Sequence, residues 1–130
     1  MAKVLVVEDN ATNMKLAVLL LETAGHTVIV ATDAEAGLTL ARDEQPNLIL
    51  MDVQLPGMDG LEATTMLKKD DATRAIPVIA LTALAMKGDE ERIRAAGCDG
   101  YIAKPMSYQE FLATVATQLT HDGVASGRKA

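Results

Sequence analysis

Leu48-Ile49-Leu50-Met51-Asp52-Val53-Gln54-Leu55-Pro56-Gly57-Met58-Asp59-Gly60 sets the architecture. Four hydrophobes run unbroken into an aspartate, a Pro-Gly turn follows, and Asp59 stands ahead of a helical period over 60–69. An apolar run of strand length without polar alternation suits a strand covered on both faces, as in parallel sheets. The same grammar recurs on either side. Upstream, Val4-Leu5-Val6-Val7 ends in Glu8-Asp9; downstream, Val78-Ile79-Ala80-Leu81 ends in Thr82. Shorter apolar runs at 27–31 and 101–103 complete the set, the last ending in Lys104-Pro105.

Between the strands lie segments of helical period at 12–24, 34–43, 60–69, 84–96 and 107–120. Gly25 and Gly97 stand where left-handed caps end helices. Asp33 is placed to cap the second helix. Ser107 with Glu110 three residues on forms a capping-box pattern at the last. Five strand–helix repeats joined by right-handed crossovers predict an α/β fold, a doubly wound five-stranded parallel sheet with helices on both faces. Residues 1–120 read as one domain and 121–130 as a short polar tail.

Composition narrows the function. The chain has 130 residues, 49% hydrophobic and 23% charged, which is ordinary globular usage. A net charge of −6 opposes direct binding to nucleic acid or an anionic membrane. Aromatics at 2% with no Trp leave no base-stacking platform. A single cysteine, Cys98, cannot close an internal disulfide and suits a reducing compartment. No run is long enough for a signal peptide or a membrane span, so a cytoplasmic protein is expected. His26 and His121 fall away from the strand-end edge, and neither is assigned a role.

The polar residues that close the strands carry the functional reading. In an open parallel sheet the carboxyl ends of the strands lie along one edge, where such folds place their sites. Glu8, Asp9, Asp52, Thr82 and Lys104 therefore converge. Three carboxylates against one ammonium leave a charge of −2. Two carboxylates about 4 Å apart repel by roughly 4 kcal/mol at an effective dielectric near 20. Such a cluster raises pKa values or recruits a cation. An all-oxygen ligand set favours a hard divalent ion, Mg²⁺ before Mn²⁺, and the lysine suits an anion held beside that metal. Taken singly, Asp52 reads equally as a turn cap and Lys104 as a solvated surface group; their joint placement gives them meaning.

The motifs Val6-Val7-Glu8-Asp9-Asn10, the quoted stretch from Leu50 to Gly60, Leu81-Thr82-Ala83 and Tyr101-Ile102-Ala103-Lys104-Pro105 resemble the receiver domain of bacterial two-component response regulators. The likeness runs over about residues 3–120. The stretches Asn13–Leu16 and Ala85–Arg94 are similar to those of stand-alone cell-division regulators in that family. The resemblance implies strand order 2-1-3-4-5 and a phosphorylation switch rather than a turnover enzyme. It implies that Asp52 accepts a phosphoryl group from the phosphohistidine of a sensor kinase or histidine phosphotransfer protein. Asp9, Asp52 and the backbone carbonyl of Gln54 would be direct metal ligands, and Glu8 an acid acting through water. Thr82, the amide of Ala83 and Lys104 would bind the phosphoryl oxygens. Tyr101 would be an aromatic switch moving with Thr82, and Lys104-Pro105 a cis peptide. The change would reach an unknown output protein through the surface of the fourth helix, fifth strand and fifth helix.

Two further expectations concern surfaces. The first helix is apolar nearly all round, which suggests a kinase-docking face through Asn13, Leu16 and Leu20. Gln54 and Leu84 would flank the path of the hydrolytic water, with Leu84 slowing self-dephosphorylation. Three rivals remain at this point. A receiver module excised from a hybrid kinase or a longer regulator would share the chemistry. A phosphatase with an aspartate nucleophile wants a second Asp where Gln54 stands. A flavin-binding electron carrier would find Glu8-Asp9 repelling its phosphate.

Overall fold

The computed structural model describes residues 2–83, 87–104 and 107–123. Five strands, β1 (Lys3–Val7), β2 (Thr27–Ala31), β3 (Leu48–Asp52), β4 (Val78–Thr82) and β5 (Gly100–Ala103), alternate with five helices. These are α1 (Ala11–Thr23), α2 (Ala34–Glu44), α3 (Gly60–Lys69), α4 (Lys87–Ala95) and α5 (Tyr108–Gly123). All neighbouring strands pair in parallel, in the order β2-β1-β3-β4-β5, as expected.

Side-chain alternation along the strands splits the core in two. Leu5, Val7, Ile49, Met51, Val78 and Ala80 face α2, α3 and α4, packing with Ala41, Ala63, Leu67 and Ile93. Val4, Val6, Leu48, Leu50, Ile79, Leu81 and Ile102 face α1 and α5, packing with Ala17, Leu21, Phe111 and Val115. The central strands β1, β3 and β4 are buried on both faces, which is why their sequences carry no polar alternation.

Boundaries moved by one to three residues. β3 and β4 run on to include Asp52 and Thr82, because the ladder continues through Asp52↔Leu81 and Thr82↔Ala103. α1 starts at Ala11 because the Asn10 side chain accepts from the Asn13 N–H at 2.9 Å. Asp33 caps α2 as expected, accepting from the Ala36 N–H. Ser107 accepts from the Glu110 N–H at 3.4 Å, one half of the box predicted there. Gly25 and Gly97 adopt φ of +93° and +103°, the left-handed conformation that ends α1 and α4. The predicted start of the fourth helix at 84–86 lies outside the described residues, as do Leu84 and Pro105. α5 extends to Gly123, three residues beyond the expected end, and the rest of the expected tail lies outside the described residues.

α3 spans Gly60–Lys69 after Asp59, as expected, and a capping box secures its start. Asp59 and Glu62 form a reciprocal capping box, with Asp59 Oδ1 accepting from the Glu62 N–H at 2.8 Å. Gly60, the first helical residue, donates its N–H to the Val53 carbonyl at 3.0 Å, and a Cβ there would overlap the backbone carbonyl of Asp52. Only glycine lets the helix sit directly on the end of β3. Gly60→Ala should therefore destabilise the protein by roughly 3 kcal/mol or more, measured by chemical denaturation. A variant of wild-type stability would show that the helix start can withdraw freely.

Candidate functional site

The carboxyl ends of β1, β3, β4 and β5 bring the expected residues to one rim. Glu8 and Asp9 follow β1, Asp52 and Thr82 close β3 and β4, and Lys104 follows β5. Glu8, Asp52 and Thr82 are buried, whereas Asp9 is exposed. One carboxylate oxygen from each of Glu8, Asp9 and Asp52 lies within 4.8 Å of the others. The Lys104 ammonium sits between two of them, 3.0 Å from Glu8 Oε1 and 3.3 Å from Asp52 Oδ2. Its backbone N–H is held by the Thr82 carbonyl at 2.7 Å, which fixes where the side chain leaves β5. Residues 8, 52 and 104 thus meet, although up to 96 positions separate them.

Glu8 and Asp52 experience this crowding in opposite ways. Burial drives the Asp52 carboxyl up, the hydrogen bond and negative charge of Glu8 push the same way, and its pKa rises to about 7. The Gln54 N–H, donating to Asp52 Oδ1 at 3.0 Å, and Lys104 oppose the rise without cancelling it. Burial acts to raise Glu8 as well. There the hydrogen bonds from Asp52, Lys104 and the Asn10 N–H, the last at 3.1 Å, prevail and lower it. The pair therefore keeps one proton to about neutral pH, carried on Asp52.

This fixes the sign of a pH effect. The Asp52 pKa is raised in the folded state, from 3.8 to about 7. Its contribution to stability is full below pH ~4 and is lost as pH rises through about 7. Metal-free protein should lose about 2–4 kcal/mol across that window, and Asp52→Asn should flatten the slope. Denaturation midpoints at pH 5 and pH 8 check this; parallel curves for the two proteins would refute it.

A donor set of three carboxylates, without His or Cys, fits a hard divalent cation. The pair's retained proton points the same way, since a positive charge is what the cluster lacks.

The other expected residues fall as follows. Gln54 is exposed, two residues past Asp52, and Ala83 is exposed after β4. Tyr101 lies on β5 in register with Ala80, half-buried, with its hydroxyl donating to Glu90 Oε2 on α4 at 2.7 Å. On α1, Leu16 and Leu19 are exposed (38% and 61%), Asn13 is half-buried, and Leu20 packs against the core facing α1 and α5. Asn10 caps α1, one of the caps the sequence offers there; three contributions went unread: the Asn10 N–H as donor to Glu8, Gly60 as the seat of α3, and Glu90 as the partner of Tyr101. Gly60 left a signal, a glycine in the first turn of a helix. Glu90 left none, being one of six charges between positions 87 and 94.

A doubly wound sheet with an acidic cluster, a strand-end hydroxyl and a lysine along its carboxyl edge defines a class. The chain belongs to the response regulator receiver domain family, which it matches over residues 4–116. It is 53% identical over 116 residues to the polar-differentiation response regulator DivK of Brucella anthropi, covering 89% of this chain and 94% of that one. DivK of Brucella ovis matches equally well, with the same identity and coverage. Among solved structures it resembles the receiver domain of the sensor histidine kinase PA1611 from Pseudomonas aeruginosa, which has a magnesium ion coordinated in its active-site cleft. That likeness has a TM-score of 0.85 and 33% identity, over 92% of this chain and 98% of the other. A CheY-like receiver domain from Methanospirillum hungatei superposes with a TM-score of 0.89 at 27% identity, over 97% and 99% of the two chains. Receiver domains of this family are phosphorylation switches of two-component systems. They bind Mg²⁺ at an acidic pocket and meet histidine kinases or phosphotransfer proteins and output proteins. The family is one of signalling proteins, generally not turnover enzymes. Among the described residues no helix is long and apolar enough to cross a membrane.

Proposed function

We propose that Asp52 is the phosphoacceptor of a DivK-like switch. The observation that carries this is the Lys104 ammonium held between the buried carboxylates of Glu8 and Asp52, with Asp9 beside them at the solvent side. A carboxylate oxygen of Asp52 forms the new O–P bond as the N–P bond of a partner's phosphohistidine breaks, and the electron pair leaves on the imidazole. Asp9, Asp52 and the Gln54 carbonyl would hold Mg²⁺, with Glu8 acting through water. Bound there, the ion neutralises the carboxylates and the incoming phosphoryl oxygens. Lys104 exchanges part of its bond to Asp52 for a phosphoryl oxygen. The Thr82 hydroxyl and the Ala83 amide take the others. Because Glu8 retains the Lys104 ammonium at 3.0 Å, the lysine is oriented before the donor arrives.

Movement of Thr82 toward the phosphoryl group would draw Tyr101 with it and alter the face of α4, β5 and α5, where an output protein binds. The kinase or phosphotransfer partner would dock on α1 through Asn13, Leu16 and Leu20. The exposed apolar pair Leu16 and Leu19 supports that surface. We read residues 1–120 as the receiver and 121–130 as a short extension, in keeping with the family match over 4–116. A cytoplasmic setting fits the unpaired Cys98 thiol. The phosphatase reading loses its general acid, since Gln54 offers no acidic proton where that chemistry wants an Asp. A receiver from a hybrid kinase would use the same site, but the identity to DivK, 53% against 33% for the kinase receiver, favours the former relation. The test is Mg²⁺-dependent incorporation of one phosphoryl group from a phosphorylated histidine phosphotransfer protein, read by intact mass and mapped to Asp52. Incorporation at another residue overturns the assignment.

A further inference from the structure

Tyr101 has its polar atom bonded away from the acidic rim. Its hydroxyl donates to Glu90 Oε2 on α4 at 2.7 Å, while Glu90 Oε1 lies 3.7 Å from the Arg94 guanidinium one turn on. The carboxylate is thus oriented from its own helix and receives the phenol from β5. Phenol-to-carboxylate bonds are charge-assisted and stronger than neutral ones. By strand alternation Tyr101, Ala103, Ala80 and Thr82 share one face of the sheet, with Tyr101 opposite Ala80 and Ala103 opposite Thr82. On that face the strand neighbours of Tyr101 and Thr82 are both alanines, Ala80 and Ala103.

We propose that Glu90 is a positioning residue that holds Tyr101 turned toward α4 and away from Thr82 until the acceptor is charged, so that the Tyr101–Glu90 bond sets the threshold of the switch. This rests on the reading of Asp52 as the phosphoacceptor. Moving the ring to Thr82 requires breaking that bond, and breaking it also removes a side-chain tie between α4 and β5. The charging of Asp52 and the release of the output helix are thereby coupled through one hydrogen bond. The Glu90–Arg94 contact alone would do none of this, since an exposed ion pair at this spacing contributes little.

The test uses the full chain labelled with 3-fluorotyrosine and titrated with beryllofluoride in the presence of Mg²⁺. Tyr108→Phe leaves Tyr101 as the only fluorine reporter. Glu90→Ala should bind beryllofluoride about three- to tenfold more tightly, the loss of one such bond. Without beryllofluoride its Tyr101 resonance should move toward the position seen in the loaded wild type. Glu90→Gln, which keeps an acceptor, should fall between Glu90→Ala and wild type. In a Tyr101→Phe background Glu90→Ala should add nothing. Unchanged affinity in Glu90→Ala, or an equal gain with Phe at 101, overturns the proposal and leaves the acceptor assignment standing. A wild-type chain that does not bind beryllofluoride overturns both.

Discussion

Asp52→Asn removes phosphoryl acceptance, cutting labelling by a phosphohistidine donor or by acetyl phosphate more than about 100-fold, because an amide is no nucleophile toward phosphorus. The variant still folds. An Asn side-chain oxygen can accept from the Gln54 N–H as Asp52 Oδ1 does, and its amide can donate to Glu8 where the shared proton now lies. Metal-free Asp52→Asn should in fact be more stable than wild type at pH 8, since one of two crowded buried carboxylates is gone. Loss of labelling with a raised midpoint is a signature that simple misfolding cannot produce. Undiminished labelling at another residue would defeat the assignment.

Lys104→Ala should separate two functions of one charge. Glu8, at 1% exposure, loses the ammonium that compensates it. Removing one partner of a buried ion pair costs on the order of 3–5 kcal/mol when the remaining charge cannot be neutralised. Here proton uptake by the Glu8–Asp52 pair blunts the loss at low pH. The variant should therefore be destabilised by about 2–4 kcal/mol at pH 8 and much less at pH 5. Mg²⁺ should bind it more tightly than it binds wild type, because the site's charge falls from −2 to −3. Its response to beryllofluoride should nevertheless be lost. Calorimetry with Mg²⁺ and denaturation at the two pH values read these out. Weaker Mg²⁺ binding would show that Lys104 does not compete with the cation.

The sheet was legible because its central strands are buried on both faces and say so in unbroken hydrophobes. The convergence of Glu8, Asp52 and Lys104 followed from the strand-end rule alone, before any motif was compared. What could not be read was the division of labour within the cluster. Glu8 and Asp9 are adjacent and chemically alike, yet one is buried on a lysine and the other faces solvent. The ammonium that compensates Glu8 comes from Lys104, 96 positions along the chain, and no local pattern encodes that pairing. The strand ends were set short because a polar residue looked like an end, whereas Asp52 and Thr82 continue the ladder and only their side chains leave the core. The bond from the Tyr101 hydroxyl to Glu90 was likewise illegible, since Glu90 is one charge hidden among many.

The two shoulders of the acceptor are built unlike one another. On the β3 side Gly60 rests on the Asp52 carbonyl, and α3 buries Gly60, Ala63, Thr64 and Leu67. On the β4 side, α4 buries Ile93 alone among its described side chains and otherwise holds to β5 through the Tyr101–Glu90 bond. A load applied at Asp52 thus meets an abutment in one direction and a hinged leaf in the other, an asymmetry of stiffness that would give the proposed switch its heading.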